Sequence, residues 1–260
     1  MIAAGPEGSL AGEPRAVRLS LVIPAWNEAG RLPRLFDSLD VALARWRAAG
    51  GTAADIEVIV ADDASTDATA AIAAARGARV VPVERRLIAA ARNGGAAVAR
   101  GELLAFVDAD SVLHPDVLLA VDAAMSTPRT LGGASGVTME RWSAGIAATA
   151  LCALPVVWIT GFDTGLVFWR RADFEAIGGY DESLPYAEDV DLLVRLRRHG
   201  RRDGRRLVRL RGVRTTTSTR KFDRHGDWHW FTRMPRVAWQ LLRHRGRLGD
   251  FARRYWYDGR

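Results

Sequence analysis

Three short apolar runs in this sequence end in acids. Leu19 to Ile23 leads through Pro24-Ala25-Trp26-Asn27 to Glu28, Ile56 to Ala61 leads to Asp62-Asp63, and Leu103 to Val107 leads to Asp108-Ala109-Asp110. Carboxylates as close as Asp108 and Asp110 repel each other unless a cation or a hydrogen-bond network holds them. A hard divalent ion bridging to phosphate oxygens is the usual solution, and a solvated turn is the plainer alternative. A fourth acidic group, Glu188-Asp189-Val190-Asp191, opens an amphipathic stretch. The positive end of a helix favours such acids whether or not they do chemistry.

The elements that must position these groups are legible from apolar spacing. The three runs read as buried strands. Between the first two, Leu32, Leu35, Leu39 and Leu43 predict a helix over 31–49, stopped by Gly50-Gly51. An alanine-rich helix running to Arg76 follows the second strand, with Ser65 or Thr66 as its cap. A strand is expected at Arg79 to Val83, and a helix of small residues at Arg86 to Arg100 containing Ala89-Ala90-Ala91-Arg92-Asn93-Gly94-Gly95-Ala96. Pro115 suits the first turn of the next helix. This alternation over 19–125 predicts a mostly parallel α/β sheet flanked by helices, with ligands beyond the carboxyl ends of the strands.

The second half reads less evenly. Residues 142–162 carry no charged side chain, but Pro155 and many small residues favour a buried or interfacial segment over a membrane span. A groove for an apolar acceptor is the functional alternative. Gly165 to Arg171 reads as a strand, Ala172 opens a short helix, Gly178-Gly179-Tyr180-Asp181-Glu182 is a turn, and Tyr186 to Leu196 is a helix packing through Val190, Leu193, Val194 and Leu196.

Composition narrows the classes. The 260 residues are 48% hydrophobic, enough for a substantial core, and the single cysteine, Cys152, excludes an internal disulfide. Met1 to Arg18 lacks an apolar signal-type run, so a cytoplasmic location is expected. Residues 195–260 hold 21 Lys/Arg against 5 Asp/Glu, leaving 16 against 25 before them, so the net charge of +7 is the sum of −9 and +16. A basic C-terminal face suggests an anionic partner: nucleotide, lipid headgroup or nucleic acid. Neither the dinucleotide Gly-x-Gly-x-x-Gly turn nor the Gly-Lys-Ser/Thr phosphate loop follows the first strand.

Four segments in order resemble the family 2 glycosyltransferases of the GT-A fold. They are Val22-Ile23-Pro24-Ala25-Trp26-Asn27-Glu28, Val60-Ala61-Asp62-Asp63-Ala64-Ser65-Thr66-Asp67, Phe106-Val107-Asp108-Ala109-Asp110, and Gly178-Gly179-Tyr180-Asp181-Glu182 leading to Glu188-Asp189-Val190-Asp191. The resemblance covers about Leu19 to His199. It implies a nucleoside-diphosphate-sugar donor whose base is hydrogen-bonded by Asp63, with Pro24 and Glu28 lining the base and ribose pocket and Arg92 as a further donor contact. It implies that Asp108 reaches the ribose or the metal, and that Asp110 holds Mg²⁺ or Mn²⁺ on the diphosphate. Asp189 would be the general base of an inverting transfer to a hydroxyl acceptor, with Glu188 and Asp191 as rivals.

The sequence also departs from some members. The Gln-x-x-Arg-Trp motif of processive synthases is absent, which points to transfer of one sugar by a small, non-processive bacterial type. Thr215 to Phe222 resembles a Ser-x-Arg-Arg segment, making Arg220 and Lys221 candidates to close over the diphosphate; a solvated basic turn is the alternative. The expected organisation is a flexible segment 1–18, a glycosyltransferase domain 19–220 and a basic aromatic helical extension 221–260. Within the domain, 19–125 is the nucleotide-sugar-binding half and 126–220 the acceptor and catalytic half. The aromatic and arginine-rich tail suits an anionic membrane surface, which would place the protein peripherally at the inner face beside a lipid or lipid-linked acceptor. The rival readings are a nucleotidyltransferase and a basic nucleic-acid-binding protein. The first lacks its phosphate loop, and the second does not explain acids at successive strand ends, so no nucleic-acid partner is expected.

Overall fold

The computed structural model describes residues 16–160, 165–184 and 188–232. At its centre runs β1 (Leu19–Ala25), buried along its whole length. It pairs in parallel with β2 (Ile56–Asp62), Leu19 opposite Ile56 and Ala25 opposite Asp62, and on its other side with β4 (Leu103–Phe106). β3 (Arg79–Pro82) adds a parallel edge beyond β2. Strands buried on both faces must be apolar throughout rather than alternating, which is how these runs read.

The sheet continues past β4. β6 (Val167–Arg170) lies antiparallel between β4 and β5 (Thr130–Met139), and β7 (Arg206–Thr217) pairs in parallel with β5. The order is β3-β2-β1-β4-β6-β5-β7, a single mostly parallel sheet of seven strands. Because β4 and β5 are both antiparallel to β6, β5 and β7 run in the same direction as β1. Six strands, all but β6, therefore end at the same edge as the acids.

On one face, α1 (Leu32–Ala48) and α4 (Val117–Met125) bring Leu35, Leu39, Val117 and Val121 against Leu21, Ile23 and Leu103, with Ala73 of α2 (Thr69–Ala75) beside them. On the other, α3 (Ile88–Ala97), α6 (Arg171–Ala176) and α7 (Glu188–Arg201) cover Val22, Phe106 and Trp169. Phe106 sits 5.4–5.5 Å from the rings of Trp169, Phe174 and Tyr180. Burial of side chains this size stabilises by roughly 2–3 kcal/mol each. α3 lies close against the sheet: a Cβ on Gly95 would stand 2.4 Å from Val22 Cγ1.

Several expectations need correction. Ser65 and Thr66 do not cap α2, which begins at Thr69 after Ala68 with no side-chain cap bond. α3 is shorter than predicted, and α4 starts two residues beyond Pro115. Residues 144–160 form a helix, α5 (Ala144–Thr160). Residues 1–15 and 233–260, with most of the predicted flexible segment and of the extension, lie outside the described residues.

Candidate active site

The loops beyond β1 and β2 are laced together by short polar side chains. Asn27, in the left-handed region at φ 51°, receives the Thr66 N–H on its Oδ1 at 2.8 Å and donates its own N–H to Ser65 Oγ at 2.9 Å. Asparagine tolerates this backbone better than other non-glycine residues. The Glu28 N–H reaches Thr69 Oγ1 at 2.8 Å, and Asp67 accepts from the backbone of Ala29 and Thr69. Burial pushes Asp67 up, yet the hydrogen bonds from Thr69 and Ala29 outweigh it and leave its pKa below the ordinary range. Ser65 and Thr66 thus fix the loop that carries Glu28.

Asp63 is 2% exposed and shapes a third loop. Its Oδ1 accepts the N–H groups of Arg85 (3.0 Å) and Arg86 (2.7 Å), and its Oδ2 that of Leu87 (2.7 Å). The chain is thereby turned into α3, and the Arg86 guanidinium lies 5.5 Å from the Trp26 ring centroid. Asp62, at the end of β2, has a buried Oδ1 with no hydrogen-bond partner among the described residues. Pro24 is buried inside β1, opposite Ala61.

Two arginines gather the acids. Arg92 of α3, 8% exposed, reaches Glu188 Oε1 at 3.1 Å, Asp189 Oδ1 at 2.8 Å and Asp108 Oδ1 at 3.2 Å. Its guanidinium also lies 5.1 Å from the Tyr180 ring centroid, a cation–π contact. Burial opposes its charge, but Asp189, Tyr180, Asp108 and Glu188 around it hold its pKa well above the ordinary arginine value. Arg220, the first residue of α8 (Arg220–His225), grips both Glu28 oxygens at 2.8 and 2.7 Å and Asp110 Oδ2 at 3.1 Å. Burial again opposes the charge, and Glu28, Asp110 and Asp108 overcome it.

The acids at the start of α7 separate in role. Burial, and then the neighbouring Asp189, push Glu188 above the ordinary carboxylate range against the pull of Arg92. Asp191 instead pairs with Arg195 one turn on, at 2.6 Å, away from the Arg92 cluster that holds Glu188 and Asp189. Asn93, beside Arg92, fastens the turn before α7: its Nδ2 donates to the Tyr180 carbonyl and to Glu182, and its Oδ1 accepts the Tyr180 N–H, all at 2.9 Å. Gly179 sits there at φ 70°, where a Cβ would meet Asn93 Oδ1 at 2.7 Å.

Glu28, Arg92, Asp108, Asp110, Glu188, Asp189 and Arg220 therefore converge at one end of the sheet. Lys221 follows Arg220, half-buried. Sequence reasoning gave no role to Asn93 or Tyr180, and named Asp62 only as an acid at a strand end. Asn93 lay in plain sight beside Arg92, but nothing in its local pattern signals a contact 87 residues away. The donor set fits a hard divalent cation, since Asp108, whose side chain is 52% exposed, and Asp110 offer carboxylate oxygens one residue apart. Among the described residues no three or more His, Cys, Asp or Glu form a metal-holding group, so the remaining ligands would be phosphate oxygens and water.

Residues 20–144 match the model of a family described as Glycosyl transferase family 2. The chain is 31% identical over 232 residues to a validoxylamine A glucosyltransferase of Streptomyces hygroscopicus subsp. jinggangensis, covering 70% of this chain and 52% of that protein. It is 37% identical over 103 residues to a dolichyl-phosphate beta-glucosyltransferase of Drosophila melanogaster, covering 36% and 31%. The chain spans about half the length of the validoxylamine glucosyltransferases it matches. Among solved structures, S. aureus TarS 1-349 in complex with UDP-GlcNAc aligns with a TM-score of 0.61 at 18% identity, covering 78% of this chain and 59% of that one. The mannosyltransferase PcManGT of Pyrobaculum calidifontis, in complex with GDP-Man and Mn²⁺, aligns at 0.60 and 20% identity, covering 80% and 59%. These likenesses establish the GT-A fold.

Proposed function

The chain carries a glycosyl transferase family 2 domain on a GT-A fold, and on that premise we propose an inverting, metal-dependent glycosyltransferase that moves one sugar from a nucleoside-diphosphate donor to a hydroxyl acceptor. The observation that carries this reading is the bridge made by Arg92 between Asp108 at a strand end and Glu188-Asp189 at a helix start. Asp108, read as donor-side, and Asp189, read as the proton acceptor, are thereby held to one guanidinium from distant parts of the chain. Structural neighbours solved with UDP-GlcNAc and with GDP-Man and Mn²⁺ support the donor class and the metal.

In this reading the donor lies in the half formed by 19–125 and the acceptor in 126–220. Pro24, Glu28 and Asp63 shape the base and ribose pocket, Asp63 chiefly by holding the 85–87 loop. The unpartnered Asp62 Oδ1 is an acceptor available to an N–H of the base. Asp108 and Asp110 would hold Mg²⁺ or Mn²⁺, which when bound neutralises charge on the diphosphate leaving group. Arg220 exchanges its Glu28 and Asp110 partners for diphosphate oxygens, with Lys221 beside it. Arg92, already engaged by three carboxylates, keeps the two sides of the site in register.

Asp189 is the base. The acceptor oxygen attacks the anomeric carbon from the face opposite the nucleotide, the carbon–oxygen bond to the β-phosphate breaks, and the hydroxyl proton passes to the Asp189 carboxylate. A lipid or lipid-linked saccharide at the inner membrane face is the acceptor class this reading favours. The test is release of nucleoside diphosphate from UDP-, GDP- and dTDP-sugars in the presence of a bacterial lipid extract. Wild-type protein should release it with one donor class, and Asp189→Asn should lower kcat by about a hundredfold or more while still binding that donor. An Asp189→Asn protein of near wild-type activity overturns the base.

A further inference from the structure

We infer that the exposed apolar face made by α5 and residues 228–231 docks on an anionic phospholipid bilayer. Along α5, Ala144, Ala147, Leu151 and Leu154 stand one above another at helical spacing and all are exposed, Leu151 by 66%. Next to its first turn, Trp142 is 58% and Trp228 53% exposed, with Trp230 and Phe231 following. These two segments adjoin at the start of α5. Arg141 pairs with Asp223 and Asp227 at 2.6 and 2.7 Å, and a Cβ on Gly145 would stand 2.6 Å from the Asp227 carbonyl oxygen. A contiguous apolar, tryptophan-bearing patch on a protein surface marks an interaction site, and tryptophan favours the headgroup level of membranes.

Position and charge choose the occupant. α5 follows the carboxyl end of β5 and α8 that of β7, so the face lies at the same edge of the sheet as Asp108 and Arg220. The described residues end at Thr232, one residue beyond this face, and by sequence residues 233–260 carry eight arginines against two aspartates, with five aromatic residues. A second copy of the chain seated here would bring two such cationic segments together. An anionic lipid surface accepts both the apolar face and the charge. The inference rests on the proposed function only in making the bilayer the source of a lipid-borne acceptor.

The test uses the full chain with Cys152, its single and exposed cysteine, carrying an environment-sensitive fluorophore. Vesicles of phosphatidylcholine with about 30% phosphatidylglycerol should bind it about tenfold more tightly at low salt than phosphatidylcholine alone. The fluorophore should be quenched by lipids labelled in the acyl chain, and Leu151→Glu/Leu154→Glu, on an exposed helix face, should weaken binding about tenfold with unchanged circular dichroism. Lack of binding, or binding indifferent to the double substitution, overturns the inference. So does a dimer in solution that the double substitution makes monomeric. Nucleotide binding measured on the same protein is independent: nucleotide bound without vesicle binding removes the docking face and leaves the transferase reading standing.

Discussion

The Arg92 guanidinium joins two carboxylates of α7 to one on a strand-end loop, so its loss would be felt in stability before activity is considered. Of its three acids only Glu188 is well buried, at 14% exposed, so Arg92→Met should lower the unfolding free energy in urea by about 1.5–3 kcal/mol, less than the loss typical of a fully buried pair. A loss under about 1 kcal/mol would show that the ion network is dispensable. Glu188 makes a second prediction. Its folded pKa is raised above the ordinary value of 4.5 by burial and by Asp189. The folded state is thus penalised as pH rises from the unfolded value through the raised one, and a glutamine there escapes the penalty. The melting temperature of Glu188→Gln relative to wild type should accordingly rise as pH increases above 4.5; a pH-independent difference would contradict it. Asp108, Asp110 and Asp189 were legible as acids at strand and helix ends. The grip of Arg220 on Glu28, 192 residues away, was not, because neither residue's local pattern specifies its partner.

At the scale of elements, the Gly178–Glu182 turn sets the entry of α7. Gly179 holds φ 70°, and an added Cβ would press on Asn93 Oδ1 at 2.7 Å. Gly179→Ala should destabilise by about 1–3 kcal/mol, read from chemical denaturation, whereas Gly30→Ala, where nothing lies within 4 Å, should be near neutral. Equal effects would mean the turn is not held as described. The five apolar strands β1, β2, β3, β4 and β6 were visible in sequence, but β5 and β7 were not. β5 reads Thr-Leu-Gly-Gly-Ala-Ser-Gly-Val-Thr-Met, whose small residues carry little strand signal, although its first seven positions are buried. β7 alternates arginines with apolar residues at a sheet edge, a pattern easily taken for a basic loop. Ser65 and Thr66 illustrate the same limit: their hydroxyls suit a cap, but Asn27, brought close by the parallel pairing of β1 and β2, donates its N–H to the Ser65 hydroxyl and accepts from the Thr66 hydroxyl at 3.4 Å instead.

Across the whole molecule, one seven-stranded sheet among the described residues carries the strand-end acids at one edge, with α7 packed on one of its faces. The first 194 residues, with the acid-lined strand ends among their 25 acids, are net negative, and the arginine-rich remainder supplies the excess that gives +7. Arg220 on Glu28 and Asp110, Arg205 on Asp173 and Arg195 on Asp191 are points where the two meet. The most direct test is calorimetric titration of the purified protein with UDP, GDP and dTDP, each with Mn²⁺ and again with EDTA. One nucleotide should bind with Mn²⁺, and chelation or Asp110→Ala should weaken it by about tenfold or more. Binding of none of them by folded protein, or binding equally tight in EDTA, would contradict a metal-held diphosphate at Asp108 and Asp110.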